Sequence, residues 1–273
     1  MRQFIMSCHH KDDESIDIFK KYFTPINVGA NTNLIKNKIL KDNSLNNISD
    51  KNPYFCELTA LYWAWKNNSD DYVGLMHYRR IFLKPEDSLL SSNLKKLRLF
   101  LRKNLNKYSS NHYYSKIIDE SKIEKELKDA RFFFDNELID YDIIMAVPLY
   151  LDGLSIEEQF ISVHSQRFFT KMIKVTEELY PDMKESMQKT LKRKEMSAFN
   201  MLVMKRDIYE KYMEALFSVM FKIELEINLE QEDSYQQRMI GFLAERFFNI
   251  YTDYYFSINP DSKRKYLELA LIK

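Results

Sequence analysis

The chain has 273 residues, 45% of them hydrophobic, enough to bury a sizeable core and too apolar for a disordered chain. Its 41 Lys and Arg against 40 Asp and Glu leave a formal net charge of +1, which argues against a general nucleic-acid binder with a basic surplus. Four glycines are too few for a P-loop or a glycine-rich dinucleotide turn, and Cys8 and Cys56 have no metal-type spacing.

In chain order, "RQFIMSC" (2–8) reads as an opening strand that closes on His9, His10 and Lys11. "FTPINVGA" (23–30) is a second extended segment, and residues 31–52, rich in Asn, Asp, Ser and Lys, read as an exposed loop. "NPYFCELTALYWAWKNN" predicts one helix, with Asn52 as cap, Pro53 at its first position and Glu57 in its first turns. Leu58, Leu61, Tyr62 and Trp65 give it a buried face. "DYVGLMHYRR" (71–80) carries a buried strand over about 71–78 and ends in a charged tip. Residues 86–130 carry helical periodicity and many charges, and within them 93–107 is a basic stretch with a stripe of Leu94, Leu97, Leu101 and Leu105. "LIDYDIIMAVPLYL" (138–151) reads as another buried strand, 155–195 as mostly helical and 197–205 as a strand. Helices 207–226 and 235–250 flank the acidic loop "LEQEDS".

Short apolar strands separated by helices indicate an α/β fold with a mostly parallel sheet, in which ligands bind beyond the carboxyl ends of the strands. That rule puts His77–Arg80, His9–Lys11 and the residues after Val203 on one rim. Strand alternation predicts that His77 and Arg79 share one side while Tyr78 and Arg80 take the other. Guanidinium forks and an imidazole suit phosphate oxygens, so an anion site, a diphosphate by preference, is favoured over an ion-pair cluster that merely ends the strand. For His9, His10 and Lys11, a solvated turn and a ligand contact stand as alternatives. Glu57 is either a helix-N-terminal carboxylate whose complement to the helix dipole is worth about 0.3–1 kcal/mol, or a group that orients an arginine or contacts a sugar hydroxyl. In "EQEDSYQQRMIGFLAER" (230–246), Asp233 is the candidate general base, because it precedes a helix on a loop that could reach substrate. The bland alternative there is an ordinary helix approach. The 93–107 stretch either lies on an anionic membrane surface or packs its Leu stripe onto the domain.

"NISDKNPYFCELTALYWAWKN", "DYVGLMHYRRIF", "FNMLVMKRDIYEKYMEALF" and "RMIGFLAERFFNIY" together resemble a bacterial family of capsule, exopolysaccharide and O-antigen lipopolysaccharide gene clusters. The family was formerly classed as a domain of unknown function. Some members are described as glycosyltransferases, galactofuranosyltransferases among them, and the blocks span roughly residues 2–252. The resemblance implies a GT-A-like, Rossmann-type fold, a mixed, mostly parallel sheet flanked by helices. It would form a single domain over 1–273 with a basic helical insertion at about 86–130. It further implies a hexosyltransferase that moves a sugar from a nucleotide-sugar donor, UDP-galactofuranose among the options, to a lipid-linked glycan during surface polysaccharide biosynthesis. Such an enzyme would be cytoplasmic, with 93–107 offering peripheral contact to the inner face of the cell membrane.

Expected donor-binding residues are His9, His10, Lys11, Asn52, His77, Arg79 and Arg80. Asn200, Arg238, Glu245 and Arg246 are expected on the acceptor side, with Asp233 as catalytic base and Glu57 as second choice. GT-A enzymes commonly hold a divalent metal on an Asp-x-Asp at a strand tip, whereas this strand ends in His77-Tyr78-Arg79-Arg80. No metal ligand is therefore assigned. Arginine is expected to supply the diphosphate counter-charge, with Mg²⁺ or Mn²⁺ dependence as the competing reading. A non-catalytic glycan- or nucleotide-binding module of the polysaccharide assembly machinery is the alternative function, and no nucleic-acid partner is expected.

Overall fold

The computed structural model describes residues 1–12, 14–31, 35–85 and 116–273. The strands are β1 (Gln3–His9), β2 (Thr24–Asn27), β3 (Leu40–Lys41), β4 (Tyr72–His77), β5 (Arg80–Phe82), β6 (Lys116–Ile118), β7 (Ile143–Ala146), β8 (Leu149–Tyr150), β9 (Glu195–Met196), β10 (Leu202–Lys205), β11 (Arg264–Leu267) and β12 (Leu269–Ile272). The helices are α1 (Ser15–Phe19), α2 (Asn52–Phe55), α3 (Leu58–Asn67), α4 (Glu120–Glu137), α5 (Ile156–Val163), α6 (Gln166–Leu179), α7 (Lys184–Leu191), α8 (Arg206–Glu226) and α9 (Met239–Ile258). Among the described residues no helix is long and apolar enough to cross a membrane.

The main sheet runs β11-β7-β10-β4-β1-β2-β3, with β5, β12 and β6 joined beside β4. β1 is parallel to both β2 and β4, β2 to β3, and β11 to β7. β10 is antiparallel to both β4 and β7, and β5 to both β4 and β12. The sheet is therefore mixed and mostly parallel, with helices on both faces.

The strands are buried on both sides, which is why they read as continuous apolar runs rather than as alternations. Met6, Cys8, Val73 and Leu75 face a core built with α3, α5, α6, α7, α8 and α9. Ile5, Tyr72, Met76 and Val203 face the other core, which α4 covers through Ile123, Leu127, Ala130 and Phe134 at helical spacing. The stretch expected as an insertion thus divides: α4 belongs to this core, while 86–115, including the basic stretch 93–107, lies outside the described residues. Gly74 permits the close β4–β10 contact, since a Cβ there would stand 2.7 Å from Val203 Cγ2.

Three sequence expectations change. The residues after Val203 do not share a rim with His77, because antiparallel β10 carries Lys205 back to Tyr72 at the far end of β4. The cause is the entry point. Ser197 is fixed at the strand-tip side by Oγ donating to the Ala146 carbonyl at 2.7 Å and by Asn249, so the chain can only run back. Secondly, the 31–52 loop is not simply exposed. It contains β3 and the buried Asp42, whose carboxylate accepts from the Gly29 and Ala30 amides and from the Ser49 and Thr59 hydroxyls. Thirdly, helix 235–250, the last element read from the sequence, is followed by β11 and β12, which join the sheet.

Candidate functional site

β4 does not run on to Arg80. Tyr78 and Arg79 form a two-residue turn, and Arg80 opens β5 directly opposite His77. Directly opposed residues of an antiparallel pair share a face, so His77 and Arg80 stand together. The alternation expected for 77–80 is overturned by this reversal of the chain. Arg79 is braced by the C-terminal strand: its Nε donates to the Ile272 carbonyl at 3.3 Å, and its own carbonyl accepts the Ile272 amide at 2.9 Å. The Arg80 guanidinium lies 4.4 Å from the centre of the Phe199 ring. His77 Nε2–H donates to the Phe199 carbonyl at 2.7 Å, which in the neutral ring leaves Nδ1 without a proton. Desolvation holds the His77 pKa below its ordinary value. Glu57 and the Phe199 carbonyl oppose that shift, and Arg80 and Arg238 reinforce it.

The single helix expected from Asn52 is broken at Cys56, whose φ of 50° and ψ of −131° lie outside the helical region. Asn52 Nδ2 bridges the break by donating to the Cys56 carbonyl at 2.8 Å. Glu57 consequently sits at the start of α3 instead of inside a helix. Gly241 of α9 makes the break possible, because a Cβ there would approach Cys56 Sγ to 3.2 Å. Burial pushes the Cys56 thiol up to about 12, with Glu57 adding to the effect, so it is no ready nucleophile.

Across from Glu57, Phe199 and Asn200 both have positive φ, 71° and 50°. A left-handed conformation costs a non-glycine residue about 1–2 kcal/mol, least for Asn, and persists where surrounding contacts impose it. Here the contacts are two carboxylates. Asn200 Nδ2 donates to Glu57 Oε1 at 2.7 Å and to the Gly241 carbonyl at 3.3 Å, and the Phe199 amide donates to Glu245 Oε1 at 3.1 Å. Asn200 Oδ1 is buried with no hydrogen-bond partner among the described residues. Arg246 Nη1 holds the other Glu245 oxygen at 3.0 Å, and its Nη2 donates to Gln159 Oε1 at 2.5 Å. Burial raises the Glu245 pKa, Arg246 opposes the shift, and the neighbouring Glu57 adds to it.

These groups converge on a cavity of about 930 Å³ at the tips of β1 and β4. Cys8, Cys56, Glu57, His77 and Glu245 are among its lining. Arg79, Arg80, Arg238 and Arg246 supply its positive charge. Among the described residues no group of three His, Cys, Asp or Glu could hold a metal ion. The two carboxylates that line the cavity already accept from Asn200, Phe199 and Arg246, beside several guanidiniums. That donor set does not fit a resident divalent cation.

Residues 4–255 match the family described as a domain of unknown function, DUF4422. The chain belongs to that family. No curated protein matches it. Among solved structures, the apo structure of the WbbM bifunctional glycosyltransferase superposes with a TM-score of 0.78 at 27% sequence identity. The match covers 100% of this chain and 46% of WbbM, so the chain spans about half the length of that protein.

Of the residues singled out from the sequence, His10, Asn52, Glu57, His77, Arg79, Arg80, Arg238, Glu245 and Arg246 line the cavity of this DUF4422 chain. Asn200 stands behind Glu57. His9 and Lys11 are not part of the lining. His9 is fully buried, with its Nε2 3.1 Å from Ser7 Oγ and its ring edge-on to Phe19, because its strand position points to the opposite face from Cys8. Lys11 is exposed, 5.9 Å from the centre of the Tyr78 ring. Asp233 is likewise absent from the lining. Its Oδ1 accepts the Tyr235 and Gln236 amides at 2.8 and 2.9 Å, a local turn contact. Sequence reasoning missed Phe199, Gln159, His164, Tyr235 and Phe242. Phe199 sits beside the chosen Asn200, but nothing in the sequence announces its positive φ.

Proposed function

We propose that the protein is a glycosyltransferase that binds a nucleotide-sugar donor in the strand-tip cavity and passes the sugar to a glycan acceptor. The observation that carries this reading is the convergence of Arg79, Arg80 and Arg238 with Glu57 and Glu245 in one cavity of a fold shared with WbbM. Guanidiniums beside a turn suit a diphosphate, and carboxylates beside them suit proton transfer from a hydroxyl.

In this mechanism the acceptor hydroxyl oxygen bonds to the anomeric carbon while the bond from that carbon to the diphosphate oxygen breaks. The hydroxyl proton passes to Glu57, and the departing diphosphate keeps the electron pair. Arg80, with Arg79, stabilises the charge that develops on it, a counter-charge that needs no metal. Glu57 takes precedence over Asp233 as base because it lines the cavity while Asp233 is spent on a turn. Asn200 orients the Glu57 carboxylate, and His77 keeps the hairpin and Phe199 in register. The donor is UDP-linked, galactofuranose being one candidate sugar. The acceptor is a lipid-linked glycan of bacterial surface polysaccharide assembly, met at the cytoplasmic face of the membrane with 93–107 as the peripheral contact.

Thermal-shift measurements with UDP, GDP, CMP and dTDP, with and without Mg²⁺, test the reading. A nucleotide at a hundred times its Kd adds about 2.7 kcal/mol to stability, a clear rise in Tm. A protein whose Tm no nucleotide moves has no donor site of this kind.

A further inference from the structure

One wall of the cavity is carried by helices rather than by strand tips, and it is aromatic. Tyr235 is 51% exposed although its ring packs against two others. The His164 ring lies nearly parallel to it, at 5.6 Å and 17°. Phe242 backs both, 4.5 Å from His164 and 5.1 Å from Tyr235. All three line the cavity.

The wall is fixed from several sides. Gln236 Oε1 is 3.0 Å from His164 Nδ1, and Gln236 Nε2 donates to the Val163 carbonyl at 3.1 Å. Asp233 locks the backbone of Tyr235 and Gln236, and the neighbouring Glu232 is ion-paired with Arg167. The turn's side-chain and backbone bonds thus hold the half-exposed Tyr235 ring at the cavity edge at little further entropic cost on binding. Arg238 stands at the same edge, its guanidinium 5.4 Å from the Phe242 ring.

We infer that Tyr235, supported by His164 and Phe242, is a stacking platform for a sugar ring of the acceptor glycan. The inference rests on the glycosyltransferase reading and deepens it. A preorganised aromatic face offers contact to the C–H face of a sugar, and Arg238 at its margin offers donors to the hydroxyls. A sugar is favoured over the nucleobase because the platform stands at the ends of α5 and α9 with Arg238 beside it, whereas the diphosphate seat of Arg79 and Arg80 belongs to the strand-tip turn. Asp233 acquires a role here as a positioning residue, holding the turn that presents Tyr235.

Saturation-transfer NMR with methyl β-D-galactopyranoside, methyl β-D-glucopyranoside and UDP separates the possibilities on the full chain. Wild type and Tyr235→Phe should transfer saturation to the ring C–H protons of at least one glycoside, and Tyr235→Ala should lose most of that signal. Signals of UDP should be equal in all three proteins. Tyr235 is half-exposed, and unchanged amide spectra away from the turn verify that Tyr235→Ala is folded. Absence of glycoside signal in a wild type that binds UDP overturns the platform, and so does a Tyr235→Ala protein that keeps it. Loss of UDP base-proton signals in Tyr235→Ala assigns the platform to the nucleobase and equally overturns the inference. A wild type that takes up glycoside through Tyr235 but no nucleotide defeats the glycosyltransferase reading and leaves the platform standing.

Discussion

Asn200 links backbone conformation to the proposed catalytic carboxylate, and two substitutions divide its contributions. Its side chain is fully buried and donates to Glu57 at 2.7 Å, a bond to a charged group worth about 1.5–3 kcal/mol. Both Asn200→Gly and Asn200→Ala remove that bond. Their backbones differ. At φ 50°, alanine pays about 1–2 kcal/mol for the left-handed conformation, whereas glycine pays about 0.5–1 kcal/mol in chain entropy. The native Asn already bears part of the left-handed cost, so Asn200→Gly should lose about 2–3 kcal/mol and Asn200→Ala about 1 kcal/mol more, measured by urea unfolding with linear extrapolation. Transfer activity should fall by at least tenfold in both, because Glu57 loses its orienting partner. Two variants of equal stability would refute the imposed left-handed backbone. A glycine variant as stable as wild type would refute the Asn200–Glu57 bond as a contribution to the fold.

Further outcomes follow from the same contacts. Arg80→Ala should weaken UDP binding at least tenfold in calorimetry while shifting Tm little, and equal losses of affinity and stability would reduce the hairpin to a structural cluster. Glu57→Gln should lower transfer by at least a hundredfold, whereas Asp233→Asn, which keeps an acceptor oxygen for the Tyr235 and Gln236 amides, should retain most of it. The reverse order would restore Asp233 as base. His77 should titrate below 6.5 in NMR, since burial disfavours its cation. Its neutral native form then supports stability above that pH. As pH falls through 6.5 the unfolded chain takes the proton first, and stability is lost until the folded pKa is passed. Glu245, raised by burial, acts with the opposite sign in the window above 4.5, so the difference between wild type and His77→Gln isolates the histidine. A His77 resonance that titrates above 6.5 would contradict its burial.

The sequence carries the sheet well because both of its faces are apolar, so β1, β4, β7 and β10 stand out as runs of Ile, Met, Leu and Val. The charged tip at His77–Arg80 is equally visible. Direction and reversal are not. A strand that runs antiparallel has the same composition as one that runs parallel, and only the tether from Ser197 to Ala146 and Asn249 turns β10 around. The Tyr78–Arg79 turn has no glycine, proline or asparagine to mark it, and β12 bonds it in place from nearly 200 residues away in the chain. Around Glu57 and Glu245, Cys56, Phe199 and Asn200 adopt positive φ, and only at Asn200 does residue preference favour it. Asp233 drew the choice of base through its loop position, and its turn contacts explain that position without chemistry.

The central claim is that Glu57 and the arginine-lined cavity transfer a sugar without a metal, and nucleotide release from a panel of UDP-sugars in EDTA tests it most directly. Release from at least one donor, accelerated by a glycan acceptor, abolished in Glu57→Gln and unchanged by added Mg²⁺ or Mn²⁺, is the predicted result. Release that appears only when a metal is added, or that survives in Glu57→Gln, contradicts the account.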